Sequence, residues 1–431
     1  MGDLPLDSAG DGHRRIDLSP PNSSPLQPSP FEAQKLEAGS LFVLKSRGSW
    51  IHCGYHLTSA IVGPALLSLP FAFANLGWVA GVALLVLGAI VTFYSFTLLS
   101  VVLEYHEQHG RRQLRFKDMA TDILGPKWGS YYVGPLQLAI CYGGVVGLII
   151  LAGQSMKLYS TLNEALMNSI RIYTNLSFVL VFTGISSKAP PKDYSLASKG
   201  SDKFFGVFNA FSLIATAYGN GILPEIQATL APPIKGKMFK GLCMCYVVIT
   251  STFFSVAISG YWAFGNLSQG NILSNFNPDG KRLVPDWFTV LTNIFMLLQL
   301  TAVSVLYLQP TNVVLENWLA DVKNKQFSIR NVVPRLVSRS LSVILGTAIA
   351  AMLPFFADIN AFLGAFGIIP LNFVLPMIFY NQTFKPSKSS ILFWGNTISA
   401  LAFTLTGLIG TVCAIRQIVL DAKSYHLFAN A

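Results

Sequence analysis

Two interruptions in long apolar stretches could bind a small polar molecule through the backbone. Residues 61 to 64 read Ile-Val-Gly-Pro, and residues 217 to 221 read Ala-Tyr-Gly-Asn-Gly. Proline lacks a backbone N–H and glycine is a weak helix former, so a helix should break at each place. A break frees amides that can bind a carboxylate and carbonyls that can accept from an ammonium group. The candidate substrate-binding residues at the two breaks are Ile61, Val62, Gly63, Ala217, Tyr218 and Gly219.

Glycines in apolar stretches can also serve only to let helices approach closely. The spacing of Gly77 with Gly81, and of Gly143 with Gly147, is typical of such packing. Two separate Gly/Pro-interrupted stretches are harder to explain by packing alone, because they are typical of the midplane binding site of secondary transporters. The pattern therefore favours a solute site at the breaks.

Glu225 follows the second break and is the acidic residue placed well inside a predicted span. An ionisable group at membrane depth is by default a functional candidate, here as a proton carrier or a gate residue. It could instead cap the half-helix by accepting hydrogen bonds from free amides, and the two roles are compatible. Tyr142, in the third apolar stretch, could contact a substrate, although core packing is the default role of such a residue.

The elements that must position these residues are membrane-spanning helices. The chain has 431 residues, of which 52% are hydrophobic and 12% are charged, whereas about 25% are charged in soluble domains. We therefore predict an all-α membrane protein. At about 20 apolar residues per crossing, nine clear spans are predicted, at 50–77, 78–103, 131–156, 204–230, 241–264, 287–313, 335–353, 359–380 and 391–415.

The distribution of charge indicates how these spans are oriented. The net charge is +10, and the basic residues cluster between spans rather than along one stripe, which speaks against nucleic-acid binding. An amino terminus in the cytoplasm puts most Lys and Arg residues on the inner side, as the positive-inside rule requires. The apolar run within 158–187 is too short to cross, so that segment is predicted not to span. Residues 1–40, rich in Pro and Ser, are predicted to be a disordered cytoplasmic tail before a transmembrane domain at 41–431.

The sequence carries no signature of catalysis or of metal binding. It has no nucleophile elbow, HExxH motif, P-loop or pair of carboxylates, and its cysteines lack zinc-type spacing. We expect no enzymatic activity, no catalytic residue, no cofactor and no metal. The expected partners are a small zwitterionic amino acid, protons and the lipid bilayer.

Several long runs resemble the amino acid/auxin permease family. They are GPALLSLPFAFANLGW (63–78), AICYGGVVGLIILAGQSMK (139–157), ILPEIQATLAPPIKGKMFKGLC (222–243), SGYWAFGN (259–266), LQPTNVVLENWLAD (308–321) and MLPFFADINAFLGAFGIIPLNFVLPMIFYNQTFKPSK (352–388). The closing IRQIVLDAKSYHLFAN resembles the plant GABA transporter branch of that family. The resemblance covers most of the chain.

The resemblance implies a leucine-transporter type of fold, with two inverted five-helix repeats in which helices 1 and 6 are broken. It also implies proton-coupled uptake of 4-aminobutyrate (GABA) and related amino acids at the plasma membrane. By the same resemblance, residues 61–63 and 217–219 correspond to the unwound binding regions, and Glu225 belongs to a Pro-Glu-Ile-Gln motif.

This chain departs from the family pattern at one place. Family members have eleven spans, and two of their helices lie where this chain has only 158–187. Losing two spans preserves the orientation of everything downstream but removes a helix pair from the first repeat. A shortened membrane protein that does not transport, or that regulates a partner, is therefore an alternative. Other possible substrates are proline, neutral amino acids and auxin-like acids.

Overall fold

The computed structural model describes residues 48–157, 192–196, 202–276, 283–319, 321, 327–353 and 355–424. Within these ranges the chain is helical apart from turns and short connections, and its extended pairing is an isolated bridge between Gly48 and Leu230. The all-α expectation is confirmed. The predicted tail at 1–40 and the segment 158–187 lie outside the described residues.

The first predicted break is present. Helix α1 (Trp50–Ile61) ends at the interruption, a 3-10 turn follows at Pro64–Ser68, and α2 (Leu69–Gln108) continues from it. Ser49 caps α1 with its side chain, and Pro64 opens the next turn, where a missing N–H costs nothing. Within α2, Gly77 adopts φ 77° and ψ 176°, a conformation that favours glycine. This bend separates the first span from the second, so Gly77 does more than let helices pack.

The second predicted break is also present. Helix α5 (Asp202–Tyr218) stops where the Gly-Asn-Gly sequence begins, and α6 (Leu223–Ala228) starts after four residues outside both helices. Pro224 lies in the first turn of α6, the part of a helix that tolerates proline. The intervening helices are α3 (Phe116–Leu124) and α4 (Gly134–Lys157), joined by a short helix at Pro126–Trp128 and a π-helical turn at Gly129–Val133.

The remaining helices follow in chain order. They are α7 (Lys237–Phe264), α8 (Asp286–Leu319), α9 (Ile329–Met352), α10 (Phe356–Phe362), α11 (Leu375–Phe384) and α12 (Ile391–Ser424). A π-helical segment, Leu363–Val374, joins α10 to α11, and 3-10 turns at Gly265–Leu267 and Ile272–Phe276 follow α7. Helices α2 and α10 extend past the predicted span limits, so Glu104 and Asp358 are also helical.

Seven helical stretches of the described chain are long and apolar enough to cross a membrane. They are Pro64–Gln108, Pro126–Ala152, Lys237–Leu267, Trp287–Asn312, Ile329–Met352, Phe356–Phe384 and Ile391–Lys423. Two further crossings need both halves of a broken helix, because α1 has 12 residues and α5 has 17, and a crossing takes about 20. This accounts for the nine predicted spans.

The helices around the two breaks pack closely against one another. Helix α1 packs on α7, α5 packs on α2, and α4 packs on α8. By contrast, α9 and α12 expose large apolar side chains, such as Ile344 at 63% and Leu401 at 62%. Exposed apolar surface of this extent marks a face that lipid covers. The inner helices therefore hold the functional residues, while α9 and α12 form part of the outer wall.

Candidate substrate and proton site

A cavity lies between the two breaks and α4. It encloses about 560 Å³ of space free of protein atoms, part of it open to the surroundings. Residues of α1 and the following turn line one side, α4 lines another, and α5, α8, α10 and the π-helical segment complete it. The lining residues are Ala60, Ile61, Gly63, Pro64, Ala65, Ile140, Gly144, Gly147, Leu148, Thr216, Gly219, Val303, Tyr307, Phe356, Asn360, Leu363 and Ile368.

Side chains of α8 hold the first break. Gln299 Nε2 donates to Val62 O at 2.7 Å, and the Tyr307 hydroxyl donates to Ala60 O at 3.4 Å. The Gly63 amide turns back to Ile61 O at 2.6 Å. These hydrogen bonds satisfy backbone carbonyls that have lost their helical partners, and they therefore stabilise the break. The helical segment that starts at Pro64 has no side-chain cap, and its amino-terminal end borders the cavity.

Buried amides hold the second break. Asn220 Oδ1 accepts from Ile222 N at 2.9 Å. In one orientation of its side-chain amide, Asn372 of the π-helical segment pairs with the backbone of Asn220, with both N–O distances at 2.9 Å. Gln137 Nε2 donates to Gly221 O at 3.0 Å. Three side chains thus replace the helical hydrogen bonds that the break removes.

Close approach of neighbouring side chains favours glycine at this break. A Cβ added at Gly219 would clash with Ile368 Cγ2, and one at Gly221 would lie 3.2 Å from Ile140 Cγ2. Ile140 and Ile368 both line the cavity. The absence of side chains therefore lets α4 and the π-helical segment close against the broken span.

Glu225 lies in the first turn of α6, behind the cavity wall. Its side chain is 5% exposed, and Oε1 accepts from Gln137 Nε2 at 2.5 Å. Oε2 is buried without a hydrogen-bond partner among the described residues. The residue at the amino-terminal cap position of α6 is Ile222, which has no side chain that can cap. Glu225 is connected to the break through Gln137, because the side-chain amide of Gln137 that binds Glu225 also binds Gly221 O.

The structure brings only some of the predicted binding residues to the cavity. Ile61, Gly63 and Gly219 line it, whereas Val62 and Ala217 are buried beside the lining residues. Ile61, Gly63 and Gly219 show that both breaks border one cavity, and substrate binding by the predicted residues stays a prediction.

The two predicted tyrosines have other contacts. Tyr218 is fully buried, donates to Leu85 O at 3.1 Å and packs against Phe253. Tyr142 donates to Ser342 O on α9 at 2.7 Å. Neither ring is part of the cavity wall, and both hydroxyls join neighbouring helices. Tyrosine hydroxyls that are buried usually find such a partner.

Sequence reasoning missed three polar residues in the cavity wall. Thr216 Oγ1 lies 2.7 Å from Asn360 O, and Asn360 Nδ2 donates to Phe356 O at 2.9 Å. Tyr307, the third, holds α1 as described above. The available signal is a polar residue inside an apolar span, but that signal does not say which face of the helix lines a cavity.

A family assignment follows from comparison with known sequences. The sequence profile described as "Transmembrane amino acid transporter protein" matches residues 46–189 and 165–420, which together are most of the chain. The chain belongs to this family. The two matches overlap at 165–189, and most of this overlap lies in the segment 158–187 that the resemblance identified as shortened.

Two curated relatives of this transporter are proteins of Arabidopsis thaliana. It is 52% identical to GABA transporter 1, over 92% of this chain and 96% of that protein. It is 28% identical to Lysine histidine transporter-like 1, over 93% of this chain and 95% of that protein. These relatives are transporters, so this family member is a membrane carrier of amino acids and not an enzyme.

A solved structure supports the fold. The manganese transporter of Eremococcus coleocola matches this transporter with a TM-score of 0.50 at 11% identity, covering 89% of this chain and 93% of that one. At this identity the likeness concerns fold alone. Together with the two broken spans, it identifies the leucine-transporter type of fold that the sequence predicted.

Proposed function

We propose that this protein is a proton-coupled transporter that carries GABA and related zwitterionic amino acids across the plasma membrane. Its amino terminus would lie in the cytoplasm, as the distribution of basic residues favours. The identity of 52% with a protein named GABA transporter 1 supports the substrate. The observation that carries the proposal is the composition of the cavity wall, to which both breaks contribute.

The cavity wall suits a molecule without net charge. Its lining residues, as far as the structure describes them, include no Asp, Glu, Lys, Arg or His. The amino-terminal end of the segment starting at Pro64 can attract a carboxylate, and carbonyls at the breaks can accept from an ammonium group. Asn360 and Thr216 add polar atoms to an otherwise apolar wall. A zwitterion fits this arrangement better than a net cation or anion, whose charge would stay unpaired.

Glu225 is the proposed proton carrier. It is buried, one of its oxygens has no hydrogen-bond partner in the described structure, and no ion pair to it is found there. A charged carboxylate in such a place costs several kcal/mol, so gaining or losing a proton should accompany a change in its surroundings. That is the behaviour that proton coupling requires.

Uptake by the intact chain tests the proposal. Radiolabelled GABA uptake should be measured in cells without endogenous uptake, at neutral and acidic external pH, with surface expression measured in parallel. We expect uptake that rises with external acidity. Unlabelled proline, a neutral amino acid and an auxin-like acid should each compete less strongly than unlabelled GABA. Absence of uptake at normal surface expression would reject the proposal in favour of a protein that does not transport.

A further inference from the structure

Gln137 joins Glu225 to the second break. It lies near the start of α4 and is 3% exposed. Its Nε2 lies 3.0 Å from Gly221 O and 2.5 Å from Glu225 Oε1. A side-chain amide nitrogen has two N–H groups, so it can donate to both acceptors at once. Glu225 is thus held through one oxygen, while its other oxygen is free to take a proton.

Among the residues that the structure describes, two charged side chains act on this carboxyl group. They are Arg115, which directly precedes α3, and Asp118, in the first turn of α3. These two side chains pair with each other at 3.1 Å. The thiol of Cys141 on α4 is a further titratable neighbour in the described structure. Among the described contacts, Gln137 makes the direct side-chain hydrogen bond to Glu225.

Helices α1 and α2 also pack against α6. Two acids at the end of α2 have other partners, since Glu104 accepts from Gly236 N at 3.0 Å and Glu107 pairs with Arg112 at 3.8 Å. The titratable side chains of α1 are His52, Cys53, Tyr55 and His56. Those at the end of α2 are Glu104, Tyr105, His106 and Glu107.

We propose that Gln137 is a positioning residue that links the charge on Glu225 to the backbone at Gly221. The proposal rests on the proton coupling proposed above. When Glu225 is charged, its hydrogen bond from Gln137 is charge-assisted and strong. When hydronium transfers a proton to Oε2, an O–H bond forms there, one O–H bond of hydronium breaks and water is released. Oε1 then belongs to a neutral carboxyl group, so its hydrogen bond from Gln137 weakens.

The change at Gln137 reaches the cavity over a short path. The amide that loses its strong hold on Glu225 also binds Gly221 O, so its shift alters the support of the second break. Gly221 packs directly against Ile140, one turn along α4 from Gln137, and Ile140 lines the cavity. Gly219, two residues before Gly221, lines it as well. Proton occupancy at Glu225 is thereby coupled to the shape of the substrate site.

Substitution of Gln137 by methionine tests this link. Methionine has a similar length but cannot donate a hydrogen bond, so Gln137→Met keeps the volume and removes both contacts. The apparent KM for GABA should be measured at acidic and at neutral external pH. In the wild type we expect a lower KM at acidic pH. In Gln137→Met we expect the same KM at both pH values.

Gln227→Met is the matched control. Gln227 is 2% exposed, lies on α6 itself and donates to Ser100 O at 3.3 Å, without a described contact to Glu225. The same chemical change there should leave the pH dependence of KM intact, even if it reduces surface expression. If Gln137→Met does not reach the surface, Gln137→Asn is used, because the shorter amide keeps the polarity but cannot span both acceptors.

The outcomes separate this inference from the function on which it rests. Wild-type uptake that does not depend on external pH would overturn both the proposed proton coupling and the proposed role of Gln137. A pH-dependent wild type with equally pH-dependent Gln137 variants would overturn only the role of Gln137. Loss of pH dependence in both Gln137→Met and Gln227→Met would show a general packing effect and would also reject it.

Discussion

A carboxyl group and an amide, both buried, meet beside the cavity. The separation of 2.5 Å between Gln137 Nε2 and Glu225 Oε1 ties an ionisable group to a backbone break. Neither side chain lines the cavity, so the proposed proton site and the substrate site are distinct but adjacent. Substitutions at the two sites should therefore have separable effects on pH dependence and on substrate affinity.

Glu225→Gln should abolish acid-stimulated uptake while leaving surface expression intact. Glutamine has the same shape but cannot carry the proton, and it does not bury a charge. Uptake at acidic and neutral external pH, with an intracellular pH indicator to follow proton influx, measures the effect. Glu107→Gln, at the end of α2, is a control of the same chemistry. Acid-stimulated uptake retained in Glu225→Gln would remove this residue from the coupling mechanism.

Gly63→Val should raise the apparent KM without preventing folding. A Cβ at Gly63 has no atom closer than 3.8 Å, so the methyl groups of valine would enter the cavity rather than clash with the backbone. Overpacking a site costs about 1–3 kcal/mol, and about 1.4 kcal/mol changes affinity tenfold. We expect a KM increase of about tenfold or more.

A valine on α12 provides the control for this prediction. A Cβ at Gly395 meets no atom within 4 Å, so Gly395→Val tests the helical cost of valine away from the cavity. Its KM should equal that of the wild type. Unchanged KM in Gly63→Val as well would mean that the substrate does not occupy this space.

The residues at the breaks were predictable, whereas their partners were not. Glycine and proline in an apolar stretch predict a break because their effect on the backbone is local, so the sequence identifies the breaks at Gly63 and Gly219. Gln137 and Asn360 act across helices, and one sequence does not show which helical faces meet. The sequence indicates Tyr218 because it lies beside a break and Tyr142 because it lies in the third apolar stretch, but in the structure their hydroxyls join helices.

At the scale of elements, the cytoplasmic halves of the two broken spans are tied together, given the proposed orientation. Gly48 N donates to Thr229 O at 2.8 Å, and Ala231 N donates to Gly48 O at 2.9 Å. The residues preceding α1 therefore pair with those following α6. Arg112 adds to this junction, since its Nη2 lies 2.6 Å from Leu230 O and 3.2 Å from Ala228 O.

Arg112→Ala should destabilise the protein measurably. It removes a cation from carbonyls at the carboxyl-terminal end of α6, where positive charge is favourable. Hydrogen bonds that involve a charged group contribute about 1.5–3 kcal/mol, so the thermal midpoint of the purified protein should fall. Arg111→Ala is the control, because Arg111 is the exposed neighbour. Equal midpoints for the two variants would contradict a structural role for Arg112.

The limits of most spans follow from hydrophobicity, but their internal irregularities do not. The nine predicted spans correspond to helices because apolar length is a strong signal. The π-helical segment Leu363–Val374 gave no comparable signal, since its composition is as apolar as that of an α-helix. Only packing shows that this segment brings Asn372 to Asn220.

At the scale of the whole molecule, the outer wall and the inner site have opposite chemistry. Helices α9 and α12 present exposed leucine and isoleucine, whereas buried asparagine and glutamine gather around the second break. This arrangement is the reverse of a soluble protein and fixes which surfaces face lipid. Which ends of the spans face the cytoplasm is a separate question, and the prediction for it rests on the distribution of basic residues.

Cysteine labelling in intact cells should verify the proposed orientation. Gln269 and Lys388 are both exposed, in loops at ends predicted to be outside and inside respectively. In a Cys243→Ser background, which removes the exposed native cysteine, a membrane-impermeant maleimide should label Gln269→Cys but not Lys388→Cys. Permeabilised cells should show labelling of both. The opposite pattern in intact cells would invert the topology.

The uncharged wall of the cavity has an electrical consequence. A zwitterion adds no net charge to the occupied site, so under the proposed coupling only the proton's charge crosses the membrane in each cycle. The membrane voltage then works on transport directly, at about 2.3 kcal/mol per elementary charge for each 100 mV. Uptake would continue without any pH gradient as long as the cell interior is negative, and depolarisation alone would slow it.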